Sequence, residues 1–136
     1  MRACDPVVVQ GDIAYVTLRS GGPCGAAESG LEVIDVEDLF NPTMLFQVPM
    51  SEPYGLGIDG TTLLVCDGQN GIVRFDASSP QDKAPTEVYR TEAFQAYDVI
   101  PHNGVAIVSA PDGLRQYDYR HATELRQLSL IPVIAQ

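Results

Sequence analysis

Positive charge and long apolar runs are both scarce in this sequence. Its 8 Lys and Arg residues face 18 Asp and Glu residues, which gives a net charge of -10, and Lys83 is the single lysine. Nucleic acids and anionic membrane surfaces need clustered positive charge, so neither is expected as a partner. The longest apolar runs, such as residues 7–9 and 63–65, are far too short to cross a bilayer, so no membrane insertion by this segment is expected.

Cysteine and histidine are scarce as well. Cys4, Cys24 and Cys66 form no CxxC pair, so their spacing predicts neither a zinc site nor a dithiol redox centre. His102 and His121 lie on different predicted loops, which makes a poor transition-metal site. The sequence also has no phosphate-binding glycine loop, dinucleotide fingerprint or nucleophile elbow. It therefore predicts no catalytic residues, no cofactor and no metal.

Apolar residues are plentiful enough for one compact domain. They make up 45% of the 136 residues, which excludes a disordered acidic tail. A compact chain of this length buries roughly 70% of the surface that it exposes when unfolded. We therefore expect a single domain over residues 1–136.

The clearest signal is an internal repeat. A six-residue pattern reads GLEVID from Gly30, GIVRFD from Gly71 and GLRQYD from Gly113, at spacings of 41 and 42 residues. Each copy lies in a unit of four short apolar segments separated by Gly, Asn-Gly or Asp-Gly turns, which favours strands over helices. Four antiparallel strands at about 40-residue spacing are typical of β-propeller blades. The sequence thus predicts an all-β fold of three blades, at about 4–50, 51–93 and 94–136.

The predicted strands follow from these apolar segments. Residues 122–128 would also allow a helical turn, but their place in the repeat favours an outermost strand. The predicted bounds are 6–10, 13–18, 31–36 and 44–48 in the first unit, 55–58, 62–66, 72–76 and 86–90 in the second, and 97–100, 105–109, 114–118 and 125–129 in the third.

Aspartate and tyrosine residues recur at two kinds of position in the repeat. Asp35, Asp76 and Asp118 end the same strand in every unit, so we interpret them as caps that accept hydrogen bonds from the following turn. A second set lies where the first strand of each unit begins, so its members should meet at the mouth of the propeller channel. This set could bind a ligand, or its carboxylates could bond backbone N–H groups at the strand starts. Its members are Asp5, Tyr54, Tyr97 and Asp98.

The first unit contains an insertion over residues 19–29, which includes Arg19 and Cys24. A loop that departs from a regular repeat is either a recognition loop or a tolerated insertion. Cys24 and Cys4 would form a disulfide that ties this loop down if the chain is exported. Cys66 aligns with two other small residues, Thr17 and Ser109, and is interpreted as packing.

Several segments resemble the LVIVD-repeat family of bacterial β-propellers. The naming motif aligns with Leu31-Glu32-Val33-Ile34-Asp35, in which Glu32 replaces the second residue. The other matching segments are 4–9, 14–21, 53–60 and 97–104. The resemblance implies an exported or lipid-anchored surface protein without an established enzymatic role. As written, the sequence shows no export signal before Cys4, so either the protein is cytoplasmic or the numbering starts inside a longer exported chain. The resemblance is to the C-terminal, roughly three-blade part of the longer family proteins.

Three blades are too few to close a propeller ring. The sequence therefore predicts a partial, half propeller whose partner is either the missing blades of a longer gene product or a second copy in a homodimer. The expected function is a binding or scaffolding module for a protein or glycan at the channel mouth and insertion loop. The alternative is a metal-assisted, lactonase-like hydrolase that uses the carboxylates of the channel mouth.

Overall fold

The computed structural model describes residues 6–21 and 28–133. Cys4, Asp5 and Cys24 lie outside these described residues. The disulfide between the two cysteines and the role of Asp5 at the channel mouth therefore stay predictions.

The regular elements in the described residues are all β-strands, as predicted. They form three four-stranded antiparallel sheets in which neighbouring strands follow one another in sequence. Blade 1 comprises β1–β4, blade 2 comprises β5–β8 and blade 3 comprises β9–β12. The strands are β1 Val7–Gln10, β2 Ile13–Leu18, β3 Gly30–Asp35, β4 Thr43–Pro49, β5 Leu56–Asp59, β6 Thr62–Cys66, β7 Ile72–Asp76, β8 Thr86–Arg90, β9 Asp98–His102, β10 Val105–Ala110, β11 Gly113–Asp118 and β12 Arg126–Pro132.

The three blades form part of a propeller and do not close into a ring. Strand β5 contacts β1 on one side and β9 on the other, so the first strand of each blade is the innermost one. Side chains of adjacent blades fill the space between the sheets, since each sheet is apolar on both faces. In the described part of the chain, no helix is long and apolar enough to cross a membrane.

The predicted strand bounds agree best in blade 2. Strands β6, β7 and β8 begin and end where the apolar pattern places them, and so does β2 in blade 1. Strand β12 starts at Arg126 and continues to Pro132, three residues past the predicted end. Of the residues that would also allow a helical turn, 122–125 lie in the loop before β12 and 126–128 join this strand, which pairs with β11.

The repeated glycine at the start of each third strand has a steric cause. A Cβ added to Gly30 would lie 2.8 Å from the carbonyl oxygen of Val48 on the neighbouring outer strand. Real Cβ atoms do not approach backbone so closely, so a larger residue would push the outermost strand away. The glycine in the repeat is therefore a packing requirement of the blade.

A β-bulge lies at the same place in every blade. The register between the third and the outermost strand shifts between Val33 and Ile34, between Arg74 and Phe75, and between Gln116 and Tyr117. Each shift falls after the third residue beyond the repeated glycine. A bulge bends a strand and increases its twist, so all three outermost strands curve in the same way.

Two apolar clusters join the blades in pairs. The cluster between blades 1 and 2 includes Tyr15, Leu31, Leu63 and Val73, all at most 2% exposed. The cluster between blades 2 and 3 includes Leu64, Ile72, Cys66, Val99 and Val108. Full burial of one such aliphatic side chain contributes roughly 1.5–3 kcal/mol, so these clusters are the main stabilising feature of the arc. Cys66 lies inside the second cluster, which confirms its interpretation as packing.

We call the face of a blade that packs on the next blade along the chain its trailing face. In blade 2 this face presents Leu64 and Ile72, which are 0% and 1% exposed. The equivalent residues of blade 3 are Ile107 and Leu114, which are 43% and 44% exposed. Ile100, on the innermost strand beside Ile107, is 64% exposed. The trailing face of blade 3 is thus apolar and open.

Candidate binding site at the channel mouth

The mouth of the channel is built where the chain leads into β5 and β9. Backbone hydrogen bonds fix the start of both strands: the Tyr54 N–H donates to the Cys66 carbonyl at 2.7 Å, and the Gly55 N–H donates to the Tyr97 carbonyl at 2.8 Å. A third bond runs from the Tyr97 N–H to the Ser109 carbonyl at 3.0 Å. Backbone hydrogen bonds to neighbouring strands therefore fix the main chain at both predicted tyrosines.

The structure brings Tyr54, Tyr97 and Arg19 together. The two tyrosine rings meet edge to face, with centroids 5.7 Å apart and ring planes at 78°. The guanidinium carbon of Arg19 lies 3.7 Å from the centroid of the Tyr54 ring. Such a cation–π contact contributes about 0.5–1 kcal/mol at an exposed site. The start of the insertion and the channel mouth are therefore one surface.

Glu52 joins this surface, although sequence reasoning missed it. Its carboxylate accepts a hydrogen bond from the Tyr54 hydroxyl at 3.1 Å. Burial raises the pKa of Tyr54, and the hydrogen bond to the Glu52 carboxylate raises it further. The phenol consequently keeps its proton at neutral pH and remains a donor.

The buried Asp67 carboxylate fixes the backbone of Glu52. The Asp67 side chain is 1% exposed, and its two carboxylate oxygens accept hydrogen bonds from the Glu52 N–H at 2.8 Å and from Arg90 at 2.9 Å. The sequence of residues 67–71 predicts only a plain turn. The partners of Asp67 are 15 and 23 residues away, so no local pattern could reveal them. A buried carboxylate is tolerated here because it is paired and hydrogen-bonded.

Asp98 lies at the same mouth, and its side chain is exposed. One carboxylate oxygen accepts the Val99 N–H at 2.9 Å, which is the backbone role that the sequence left open. The carboxylate also packs against Gly55, where a Cβ would collide with it. Burial raises the pKa of the Cys66 thiol, and the Asp98 charge raises it further, so this cysteine is inert as a nucleophile.

The three repeated aspartates are confirmed as strand-end caps. Asp35 accepts the Glu37 N–H at 2.9 Å, and Asp76 and Asp118 accept the N–H two residues further on at 3.0 and 2.9 Å. Asp118 also binds the Arg120 guanidinium at 3.0 and 2.9 Å, which holds the pKa of this carboxyl well below its usual range.

The histidines lie away from the mouth cluster. His102 is exposed in its hairpin turn and contacts the Asn103 side chain at 3.0 Å. His121 is also exposed, with a ring nitrogen 3.9 Å from Asp118. Over residues 6–21 and 28–133 there is no group of three or more His, Cys, Asp and Glu residues placed to hold a metal ion.

Comparison with known proteins supports the fold. Two solved structures of AztD from Citrobacter koseri are similar, the apo form with a TM-score of 0.58 at 14% identity and a second structure with 0.57 at 16%. Each match covers 93% of this chain and 35% or 34% of the AztD chain. Together with the three sheets, this likeness defines the protein as a partial β-propeller. The chain spans about a third of the length of these structures.

Neither family models nor curated proteins gave a match. Membership of the LVIVD-repeat family therefore stays a prediction based on the quoted segments. At identities of 14% and 16%, the AztD structures show the fold alone.

Proposed function

We propose that this protein is a non-catalytic binding module of an exported or cell-surface propeller of the LVIVD type. It holds a protein or glycan partner at the channel mouth. The supporting observation is the contact of Arg19, at the start of the insertion, with Tyr54, whose ring also meets that of Tyr97. The LVIVD resemblance is the only support for export.

The chemistry of this surface suits recognition. Tyr and Arg dominate the energetics of protein interfaces, because each offers a large contact area together with a polar group. Tyr97 is 44% exposed and presents its ring beside Tyr54. Glu52 and Asp98 add carboxylate acceptors at the edge of the aromatic pair. A partner with hydroxyl or amide donors next to a flat apolar face would satisfy both elements.

The alternative hydrolase would use Asp5, Tyr54 and Asp98 around a metal. Asp5 lies outside the described residues, and those described contain no cluster of metal ligands. No observation in the described residues favours this second function.

Binding to glycan and peptide arrays tests the proposal. We expect the wild-type protein to bind a restricted set of ligands, and Tyr54→Ala and Tyr97→Ala to weaken that binding by about tenfold or more, as loss of an aromatic anchor does. Phe40→Ala is the matched control, because Phe40 is an aromatic residue that is 96% exposed in a turn of blade 1. Binding that survives both tyrosine substitutions would place the ligand elsewhere, and an array without any binder would contradict the function.

We also propose that the trailing face of blade 3 packs against further blades of a longer form of the same gene product. Its support is the open position of Ile107 and Leu114, together with the third of the AztD length that this chain spans. Light scattering with an apolar dye tests it. We expect the mass of a single chain together with binding of the dye. Ile107→Glu should abolish the dye binding. The mass of two chains would identify a second copy instead, and a single chain without dye binding would overturn the proposal.

A further inference from the structure

A cavity of about 500 Å3 lies between blades 2 and 3, away from the residues of the channel mouth. Ligand pockets in proteins typically measure roughly 300–1,000 Å3 and combine an apolar wall with a few polar groups. One side of this cavity is aromatic, because the rings of Phe94 and Tyr117 lie nearly parallel, at 12°, with centroids 6.3 Å apart. Tyr89 and Leu125 extend this wall. Polar groups make up most of the remaining lining.

The corresponding interface between blades 1 and 2 shows why the cavity exists. There Val73 belongs to one apolar cluster, and Val48 and Met50 pack against it. Counting from the repeated glycines and following the strand pairing, their equivalents between blades 2 and 3 are Thr91, Ala93 and Arg115. Val48 is thus replaced by the polar Thr91, and Met50 by the shorter Ala93. The fully buried Val73 is replaced by Arg115. These exchanges add a charge and shorten one apolar side chain, while Phe94 takes the place of Ser51 and supplies an aromatic ring.

Arg115 is the innermost charge of this cavity. Its side chain is 18% exposed, and its guanidinium lies 3.9 Å from the centroid of the Phe94 ring. One terminal nitrogen pairs with Asp112 at 2.9 Å. The Nε atom is buried and has no hydrogen-bond partner. Because Nε is closed to solvent, a ligand would have to bond the terminal nitrogens of the guanidinium, which carry its other four N–H donors.

The remaining polar residues set the orientation of a ligand. Glu92 is exposed at the rim, whereas Arg115 lies inside, so an anionic group is favoured only at the inner end. Arginine binds carboxylates in a planar, two-pronged arrangement, and the neighbouring rings favour a flat apolar body. Gln127 lines the same cavity and offers an amide to a polar substituent.

We propose that this cavity binds a small planar carboxylate, with the acid group at Arg115 and the ring against Phe94 and Tyr117. The site is independent of the channel mouth. It marks the interface between blades 2 and 3 as a ligand site.

Titration with benzoate, benzyl alcohol and benzylamine, followed by amide NMR shifts, tests the proposal. Benzoate should give saturable shifts at Phe94, Arg115 and Tyr117. Benzyl alcohol should bind at least about tenfold more weakly, because it lacks the charge that arginine recognises. Benzylamine should not bind. The absence of saturable shifts with benzoate, or equal affinity for benzoate and the alcohol, would overturn the proposal.

Four variants separate this site from its alternatives. Arg115→Leu should abolish the preference for benzoate, whereas Arg126→Leu, which removes an exposed arginine, should not. Ala93→Met restores the side chain found at Met50 and should block binding by filling the cavity while Arg115 stays in place. Tyr54→Ala should leave benzoate binding unchanged, so failure of the mouth proposal and failure of this one are distinguishable. Retained preference in Arg115→Leu would refute the assignment.

Discussion

The trailing faces of blades 2 and 3 have the same apolar character and opposite surroundings. Leu64 and Ile72 of blade 2 are 0% and 1% exposed, while Ile107 and Leu114 at the matching positions of blade 3 are 43% and 44% exposed. The blade pattern therefore specifies an apolar face whether or not a blade follows it in this stretch of chain. Its burial depends on the neighbour, which a single repeat cannot encode.

The polar residue at the centre of each face shows a second difference. Arg74 of blade 2 is 6% exposed and donates to the carbonyls of His121 and Glu124 in blade 3, both at 2.7 Å. Gln116 takes its place in blade 3 and accepts a hydrogen bond from Ser129 of the same sheet at 2.9 Å. The covered face is thus bonded across the interface, and the open face is satisfied within its own blade.

A carboxylate placed at matching apolar positions of blades 2 and 3 should give the largest difference in stability between the two faces. Leu64→Asp puts an unpaired charge into a fully buried site, which should lower the free energy of unfolding by at least about 4 kcal/mol. Ile107→Asp places the same group on the open face and should change the free energy of unfolding by less than about 1 kcal/mol. Urea denaturation followed by circular dichroism measures both. Equal destabilisation would mean that the face of blade 3 is covered in solution.

Removal of the central polar residue should give a smaller contrast. Arg74→Met leaves two carbonyl groups of blade 3 without their donor and should destabilise the protein by about 2–3 kcal/mol. Gln116→Met should cost less than about 1 kcal/mol, because Ser129 is only partly buried and can bond to water. The same denaturation experiment compares the two variants. A neutral Arg74→Met would show that hydrogen bonds across the interface add nothing to apolar packing.

The smallest contrast concerns the strand-end caps and pH. Because the pKa of Asp118 is held below that of an unfolded aspartate, about 3.9, its ion pair stabilises the fold above about pH 4 and is lost as the pH falls. Asp118→Asn should therefore lower stability most at pH 7 and by progressively less as the pH falls below about 4, and the effect should vanish only when the pH falls below the depressed folded-state pKa. Asp35→Asn, in a cap whose carboxylate accepts the Glu37 N–H, is the control for the loss of a strand-end cap at pH 7. Thermal unfolding across this range measures the effect, and a loss in Asp118→Asn that is as large at low pH as at pH 7 would contradict the prediction.

Much of the fold could be predicted from the sequence, because strand and turn signals are local. The bounds Thr62–Cys66, Ile72–Asp76 and Thr86–Arg90 follow from short apolar runs between turn residues. The cap of Asp76 could be predicted in the same way, since its acceptor serves an N–H two residues away. Periodicity and turn chemistry both act over a few residues, so the prediction succeeds there.

The sites could be predicted only in part. Alignment of the first strands of the blades places Tyr54 and Tyr97 together, but Arg74 donates to groups 47 and 50 residues away and has no local signature. A signal for Arg115 was present in the repeat, where it replaces the buried Val73. Comparison of repeats position by position, rather than by motif alone, would have found it. The resulting contacts still require the three-dimensional packing of two blades.

The bulge shared by the three blades has a consequence for self-association. Within residues 6–21 and 28–133, the outermost strands β4, β8 and β12 each have an unpaired edge that another chain's strand could extend. A flat edge of this kind can start fibrils, but a bent and strongly twisted edge is a poor template for strand addition. The recurring register shift therefore protects the rim of the arc from edge-to-edge growth. The trailing face of blade 3 has no such protection, because Ile107 and Leu114 lie exposed on it.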